Sequence, residues 1–274
     1  MELKFVVTED AIIKEYLFKC GVSKRLGKKV KLYGKILVNG VEKRNWETVK
    51  PGDILEIVLP KNENPNIKKV KGKIVILYED EELLIVEKEE NLAVHPSREH
   101  FDDNLQARVL AYFEEKGLQC NCHILTRLDY ATSGIVIICK DPYINHLMTH
   151  TKITKKYYAL TSVKLKEEEG KICLTIARDE SSIIKRKVDP NGKMAITLFK
   201  FLEEKKNGFL YELTLVTGRT HQIRVHLAYL GAPIVGDGLY EGVSADRLYL
   251  HCGYVSFIHP LNGEKIEIIS NVDW

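Results

Sequence analysis

Residues Leu125–Gly134 (Leu-Thr-Arg-Leu-Asp-Tyr-Ala-Thr-Ser-Gly) run straight into the apolar string Ile135–Cys139. The apolar run reads as a buried strand. The stretch before it reads as a turn that sets a base, Arg127, two residues from an acid, Asp129. A carboxylate at the mouth of a buried strand is costly unless it is paired or at work. Any fold of this chain must therefore give Asp129 a cation or a task. Taken alone, these residues leave a structural turn aspartate and a catalytic one equally open.

At 274 residues the chain is long enough for one large and one small domain. Its apolar strings are far too short to span a bilayer. The opening Met-Glu-Leu-Lys-Phe lacks the basic lead and apolar run of a secretory signal. A cytoplasmic protein with no membrane partner is expected. Of the six cysteines, Cys20, Cys139, Cys173 and Cys252 stand alone, as buried free thiols do in reducing surroundings. Cys120-Asn121-Cys122-His123 has no second cysteine pair at zinc-site spacing, so no metal is expected. The net charge of +3 hides an asymmetry: residues 1–72 hold 16 Lys+Arg against 9 Asp+Glu, and residues 73–274 hold 25 against 29. A basic front quarter suits either nucleic acid or a solvated surface.

Helical spacing of Ala11, Ile12, Tyr16, Leu17 and Val22, broken at Gly21, predicts two short helices over residues 8–26. Lys35–Val41 reads as a strand entering an Asn39-Gly40 hairpin turn, and Pro51-Gly52-Asp53 as a turn into a strand over 54–59. Residues 60–72, with two prolines, three asparagines and almost no apolar content, have a linker's composition. The chain thus divides into 1–60, a linker over 61–72 and a large domain over 73–274. In the large domain, strands are expected near 74–78, 83–87, 135–139, 156–163, 171–176, 194–204, 209–216, 248–257 and 265–270. Helices are expected over 104–115, after Asp141-Pro142, and over 221–230. That pattern is α+β.

A second string, Thr217-Gly218-Arg219-Thr220-His221-Gln222-Ile223-Arg224-Val225-His226-Leu227, continues through Gly231–Asp237. Ile223, Leu227 and Leu230 mark a buried helix face, and Arg224 borders it. A cation there needs an anion, and Asp129 is the natural candidate. Read singly, His226 could be a satisfied helix histidine and Arg219 a surface charge.

Together, Arg127-Leu128-Asp129, Thr132-Ser133-Gly134 and the string over 218–227 resemble the central motifs of the RluA-type (RluD-like) RNA pseudouridine synthases. The resemblance covers nearly all of residues 74–270, including Leu92–Pro96, Lys155–Leu160, Arg186–Val188, Lys193–Thr197 and Leu248–Cys252. It implies a mixed, mostly antiparallel sheet of pseudouridine synthase type with flanking helices and loops. It implies Asp129 as the catalytic aspartate, Arg224 as its paired arginine and Tyr157 as the platform under the target uracil. It sets Leu250 against the base, Arg127 in the gap left in the RNA, and Arg219 and His221 beside the substrate. The front of the chain, through Gly21–Arg25, Ile36–Gly40 and Pro51–Leu55, is similar to the S-four-type RNA-binding module, a small α+β domain. By that likeness Lys24, Arg25, Lys28 and Lys29 meet RNA backbone. Two features depart from the family pattern. Thr126 stands where His is usual, which is expected to alter RNA contacts. Glu89 and Asn91 stand where Pro and Gly are usual; asparagine is the best non-glycine tolerator of positive φ.

The reaction so implied breaks the bond from ribose to nitrogen 1 of uracil, turns the base and rebonds it through carbon 5. It needs no cofactor. The aspartate acts ionised, either by attacking the anomeric carbon or by taking the neighbouring sugar proton, and a nearby arginine favours a carboxylate's charged form. A retaining glycosidase needs two carboxylates; this motif offers one, which favours keeping the base over hydrolysing it. The expected partner is RNA, large-subunit ribosomal RNA ahead of transfer RNA, with the protein acting as a monomer. The main rival is a non-catalytic RNA-binding protein on the same scaffold. A metal-dependent hydrolase lacks the HExxH-like ligand pair it would need.

Overall fold

A computed structural model of the chain describes residues 2–58, 68–97, 99–118 and 120–274. The front elements are β1 (Glu2–Val6), β2 (Ala11–Ile12), α1 (Ile13–Lys19), α2 (Lys24–Tyr33), β3 (Lys35–Val38), β4 (Val41–Glu42), β5 (Thr48–Val49) and β6 (Ile54–Val58). Strands β1, β6, β3 and β4 form an antiparallel sheet in that order, and β2 pairs with β5. The Asn-Gly signal is realised: Asn39 and Gly40 take φ values of 49° and 80° between β3 and β4, the double positive φ a tight hairpin turn requires. Ala11 and Ile12, expected in a helix, are extended instead. They bridge to Val49 and Thr48, and the helix opens only at Ile13, where backbone carbonyls of Glu47 and Asn45 take the N–H groups of Ile13 and Lys14. Strand β1, which no periodicity reading anticipated, rests on the alternation of Leu3 and Phe5 with exposed neighbours.

The remaining elements are β7 (Val75–Glu79), β8 (Leu83–Lys88), α3 (Leu105–Glu115), β9 (His123–Ile124), β10 (Ser133–Cys139), α4 (Pro142–His150), β11 (Thr154–Thr161), β12 (Glu169–Arg178) and β13 (Arg186–Val188). They are followed by β14 (Lys193–Lys205), β15 (Gly208–Leu215), α5 (Gln222–Tyr229), β16 (Leu250–Ile258) and β17 (Lys265–Ile269). One sheet runs β13-β12-β14-β15-β11-β16-β10-β8-β7, with β17 beside β16 and β9 beside β10. The fold is α+β, and the sheet is mixed because one pair, β10 with β16, is parallel while its other pairs are antiparallel. All seven residues of β10 are buried. Asp141 caps α4 as expected, accepting from the N–H groups of Tyr143 and Ile144 with Pro142 in the first turn.

Helix α4 also carries the front elements. Tyr143 donates its hydroxyl to the Cys20 carbonyl at 2.8 Å, and its ring meets Phe5 edge-on. Most of the expected linker, 61–67, lies outside the described residues. Its last part runs beside α3, where Lys69 pairs with Glu114 at 2.6 Å.

One expectation about α5 needs correction. Ile223 and Leu227 are buried, but Leu230 is 44% exposed, and Gln222–Leu227 are buried without a break. The helix has no wet face there because it packs on β12, β13 and β14 while its other side closes a cleft. Arg224 is therefore inside rather than at a border.

The parallel pair positions that cleft. Because β10 and β16 run the same way, their first residues, Ser133 and Leu250, lie at one end of the sheet, and Asp129 lies just before that end. Gly134 is what lets the two strands approach. It sits at φ 116°, and a Cβ there would lie 2.3 Å from the Cys252 carbonyl oxygen. On the other side of β16 the pairing slips: Lys156 faces Tyr254 and Tyr157 faces Cys252, leaving Gly253 as the extra residue of a bulge. Bulges re-aim neighbouring side chains, and this one sits beside Tyr157. Gly134→Ala is expected to lower the unfolding free energy by about 2 kcal/mol or more, since a forced positive φ and an overpacked contact each cost of that order. Urea unfolding checks this; an unchanged midpoint would mean the strands part without strain.

Candidate functional site

The cleft has a volume of about 580 Å³, within the usual range for ligand sites. Asp129, Tyr157, Arg224, Arg127, Leu250, Arg219 and His221 all line it, so strings almost a hundred residues apart meet there. Lys24, Arg25, Lys28 and Lys29 do not; they lie on α2, the first three exposed and Lys29 half-buried.

Asp129 sits in a turn closed by the N–H of Thr132 on its own carbonyl, 3.1 Å. Its side chain is 28% exposed and faces two groups through one oxygen: Arg224 Nη1 at 3.6 Å from Oδ2, and His221 Nε2 at 3.8 Å from the same atom. Arg224 has a closer partner. It donates through Nε and Nη2 to the two oxygens of Asp237, both at 2.7 Å, and the Asp237 side chain is wholly buried. Burial opposes the Arg224 charge, but the Asp237 bonds and then the Asp129 charge outweigh it, so the guanidinium holds its proton more tightly than usual. The expected cation beside Asp129 is thus present as a shared one.

Tyr157 and Leu250 belong to the apolar part of the wall, and both are buried. Burial, then Cys252, then the Asp129 charge push the Tyr157 phenol well above its ordinary value, so the hydroxyl keeps its proton. Arg127 is exposed at the rim. Arg219 is also exposed and donates through Nε to the Met194 carbonyl at 3.1 Å.

The other polar residues of both strings hold the site's frame. Gln222 accepts from the Arg219 N–H and the Thr217 hydroxyl, and donates to the Ile196 carbonyl and Thr197 Oγ1. His226 Nδ1 meets Thr197 Oγ1 at 3.0 Å, and burial pushes its ring down to about 4. Ser133 Oγ lies between Arg247 Nη2 at 2.7 Å and His251 Nδ1 at 2.8 Å. Thr126, where His is usual, is 5% exposed, and its hydroxyl accepts from the Ile137 N–H at 2.9 Å. It clamps the loop to β10 at the wall of the cleft. Asn91 takes φ 54°, as its turn requires.

Two residues here had been given no role. Asp237 was visible as an acid closing an apolar string, but nothing in the string says which cation it meets. Lys88 was visible as a lysine ending the apolar run of β8. It is fully buried, and its Nζ donates to the carbonyls of Glu89, Leu92 and Tyr130 at 2.8, 2.9 and 3.0 Å, so it ties down the residue after Asp129.

Among the described residues, Asp80, Glu82 and His259 are grouped closely enough to share an ion. They do not line the cleft. His259 Nδ1 faces the N–H groups of Leu261 and Asn262, so it accepts there, and Nε2 turns to Asp80 at 3.5 Å. That arrangement suits an acid–histidine contact rather than a metal.

Burial pushes the Lys88 ammonium down to about 7, against the pull of the Asp129 charge. An unfolded lysine titrates near 10.4, so between these values the unfolded chain binds more protons and stability rises with pH. Wild type is expected to gain on Lys88→Met by up to about 1.4 kcal/mol per pH unit above pH 7. Urea unfolding at pH 7, 8 and 9 measures the difference; a constant gap would mean that Lys88 stays charged.

Comparison with known proteins adds a family. The sequence model described as RNA pseudouridylate synthase matches residues 82–229. The chain is 34% identical over 262 residues to the uncharacterized RNA pseudouridine synthase YjbO of Bacillus subtilis, covering 93% of each. It is 32% identical to the ribosomal large subunit pseudouridine synthase D of Haemophilus ducreyi, covering 85% of this chain and 78% of that one. In structure it is similar to human RNA pseudouridylate synthase domain containing 1, with a TM-score of 0.60 and 24% identity over 73% of this chain and 84% of that one. This last likeness concerns the fold.

Proposed function

We infer the reaction and its residues from a premise: this chain belongs to the RNA pseudouridylate synthase family and is an RNA pseudouridine synthase, an isomerase that modifies RNA. On that premise we propose that it isomerises uridines of large-subunit ribosomal RNA through Asp129. The observation that carries the reading is the placing of the Asp129 carboxylate in the cleft with Arg224 and His221 both turned to one of its oxygens.

The target uridine leaves its stack at a cost of a few kcal/mol and enters the cleft. Its uracil lies on the Tyr157 ring with Leu250 opposite, and Arg127, free to move at the rim, fills the gap with its flat guanidinium. Stacking of this kind is worth roughly 1–3 kcal/mol per base. Asp129 then attacks the anomeric carbon or takes the neighbouring sugar proton. The bond to nitrogen 1 breaks, the base turns, and carbon 5 bonds to the anomeric carbon as the Asp129 carboxylate leaves it or gives back the sugar proton, while nitrogen 1 takes up a proton. A proton must then leave carbon 5. Tyr157 is protonated in the free protein, so its hydroxyl enters that step as a hydrogen-bonding group rather than as a ready base. Orientation of the carboxylate by Arg224 supplies part of the rate gain.

Ribosomal RNA is favoured by relatives named ribosomal large subunit pseudouridine synthase D and C, at 32% and 36% identity. RNA contact by α2 is favoured by its position. Burial, followed by Lys29 and Arg25, pushes His123 below its ordinary value, so these two bases of α2 lie near β9, at the foot of the loop that bears Asp129. A strand of RNA along α2 would lead toward the cleft, with phosphates neutralised on the way.

The test is mass-spectrometric mapping of pseudouridine in ribosomal and transfer RNA from host cells lacking the gene, rescued with wild type or with Asp129→Asn. A large-subunit ribosomal site restored by wild type alone is expected. A site confined to transfer RNA would overturn the substrate, and restoration by Asp129→Asn would overturn the role of the aspartate.

A further inference from the structure

Tyr240 stands behind the cleft with its ring over the Arg224 guanidinium, 5.1 Å from the ring centre to Cζ. Its hydroxyl meets two groups. The backbone N–H of Arg186, at the start of β13, donates to it at 2.9 Å, and His221 Nδ1 lies 2.8 Å away. A phenol that accepts from a backbone N–H still has its own proton to give. Nδ1 is the acceptor that the structure offers it, so this bond runs from tyrosine to histidine. A neutral imidazole carries a single ring proton. With Nδ1 accepting, that proton sits on Nε2, the nitrogen turned to Asp129 Oδ2 at 3.8 Å.

The backbone of His221 agrees with a fixed ring. His221 is the N-cap of α5 at φ 56° and ψ 19°, a left-handed conformation that a residue with a side chain keeps where its surroundings hold it. The charged groups around the ring are Asp129, Arg224, Arg186 and Asp237. Burial, the largest influence, holds the ring below the ordinary histidine value; Arg224 and Arg186 act the same way, and the two carboxylates oppose them. The ring is therefore neutral at pH 7.

The geometry points to Tyr240 as a positioning residue that acts through His221: it fixes the Nε2–H tautomer, whose N–H holds, together with Arg224, one oxygen of Asp129 and leaves the other to meet the ribose. The inference rests on the reading of Asp129 as the reacting carboxylate. The present 3.8 Å is longer than a hydrogen bond; such contacts tighten when substrate binds. If Nδ1 carried the proton instead, Nε2 would turn a lone pair toward the carboxylate and repel it.

Two measurements on the full chain test this. The first is the nitrogen NMR spectrum of protein labelled with ¹⁵N-histidine, at pH 7, with His221 assigned by substitution. The second is turnover of a large-subunit ribosomal RNA transcript carrying tritium at carbon 5 of uridine, the hydrogen that the isomerisation releases, across pH. Tyr240→Phe keeps the ring over Arg224 and removes the hydroxyl. The expected results are an Nε2–H pattern for wild-type His221 and a mixed pattern in Tyr240→Phe. The variant's kcat should fall about tenfold or more, because the carboxylate is less firmly oriented, with KM nearly unchanged. The acid limb of its kcat profile should move to higher pH, because the neutral ring has lost the bond that favoured it. A wild-type His221 protonated on Nδ1 overturns the inference, as does a Tyr240→Phe protein with wild-type kcat and pH profile. Full turnover by Asp129→Asn would overturn the underlying reading of the carboxylate, and the NMR result separates the two failures because it needs no turnover.

Discussion

The cleft depends on the buried pair between Arg224 and Asp237. Two charges removed from water are costly, and their attraction offsets that cost only with good geometry and further hydrogen bonds. Here both conditions hold. The contact is a two-point fork at 2.7 Å, and Asp237 Oδ1 also takes the N–H groups of Leu239 and Tyr240 at 3.2 and 3.3 Å. The pair uses Nε and Nη2 of the guanidinium, so its remaining nitrogen, Nη1, is aimed at Asp129. It also fixes the turn that brings Tyr240 beside His221. An arginine held only by Asp129 would have a flexible stem and one half-exposed partner; held by Asp237, it becomes part of the frame.

The second constraint is the parallel pairing of β10 and β16 within an otherwise antiparallel sheet. It puts the Asp129 loop and Leu250 at one end of the sheet, and the bulge at Gly253 lies beside Tyr157 on the next strand, β11. Ser133 and Gly134, which follow Asp129 closely, secure this junction: Ser133 through Arg247 and His251, Gly134 by leaving room for the Cys252 backbone. Much of the string around Asp129 is thus devoted to holding a loop still.

Local signals in the sequence were the legible ones. The Asn39-Gly40 turn, the Asp141 cap with Pro142 and the apolar strand through Ile135–Cys139 follow from backbone preferences and burial within a few residues. The convergence of the strings around Asp129 and Arg224 on one cleft was legible as well, through resemblance rather than periodicity. What the sequence did not disclose was set by tertiary contact. The partner of Arg224 depends on where the turn after Ile234 and Val235 comes to rest. The clamp that Thr126 makes was not readable in its string, because it forms only when the loop folds back onto β10. Leu230 keeps helical spacing with Ile223 and Leu227 but lies at the wet end of α5. Ala11 and Ile12 also keep helical spacing, yet β5 claims them first.

The dependence on the buried pair is tested most directly by the single-turnover rate of pseudouridine formation in Asp237→Asn, measured beside its unfolding free energy and its RNA affinity. Asparagine keeps the shape and removes the charge. The account predicts a protein that still folds, destabilised by about 3 kcal/mol as expected when one partner of a buried pair is removed, and that binds RNA nearly as wild type does while its rate falls at least about tenfold. A rate equal to wild type in a protein so destabilised would contradict the account, since Asp129 would then be held in place without the Arg224–Asp237 pair.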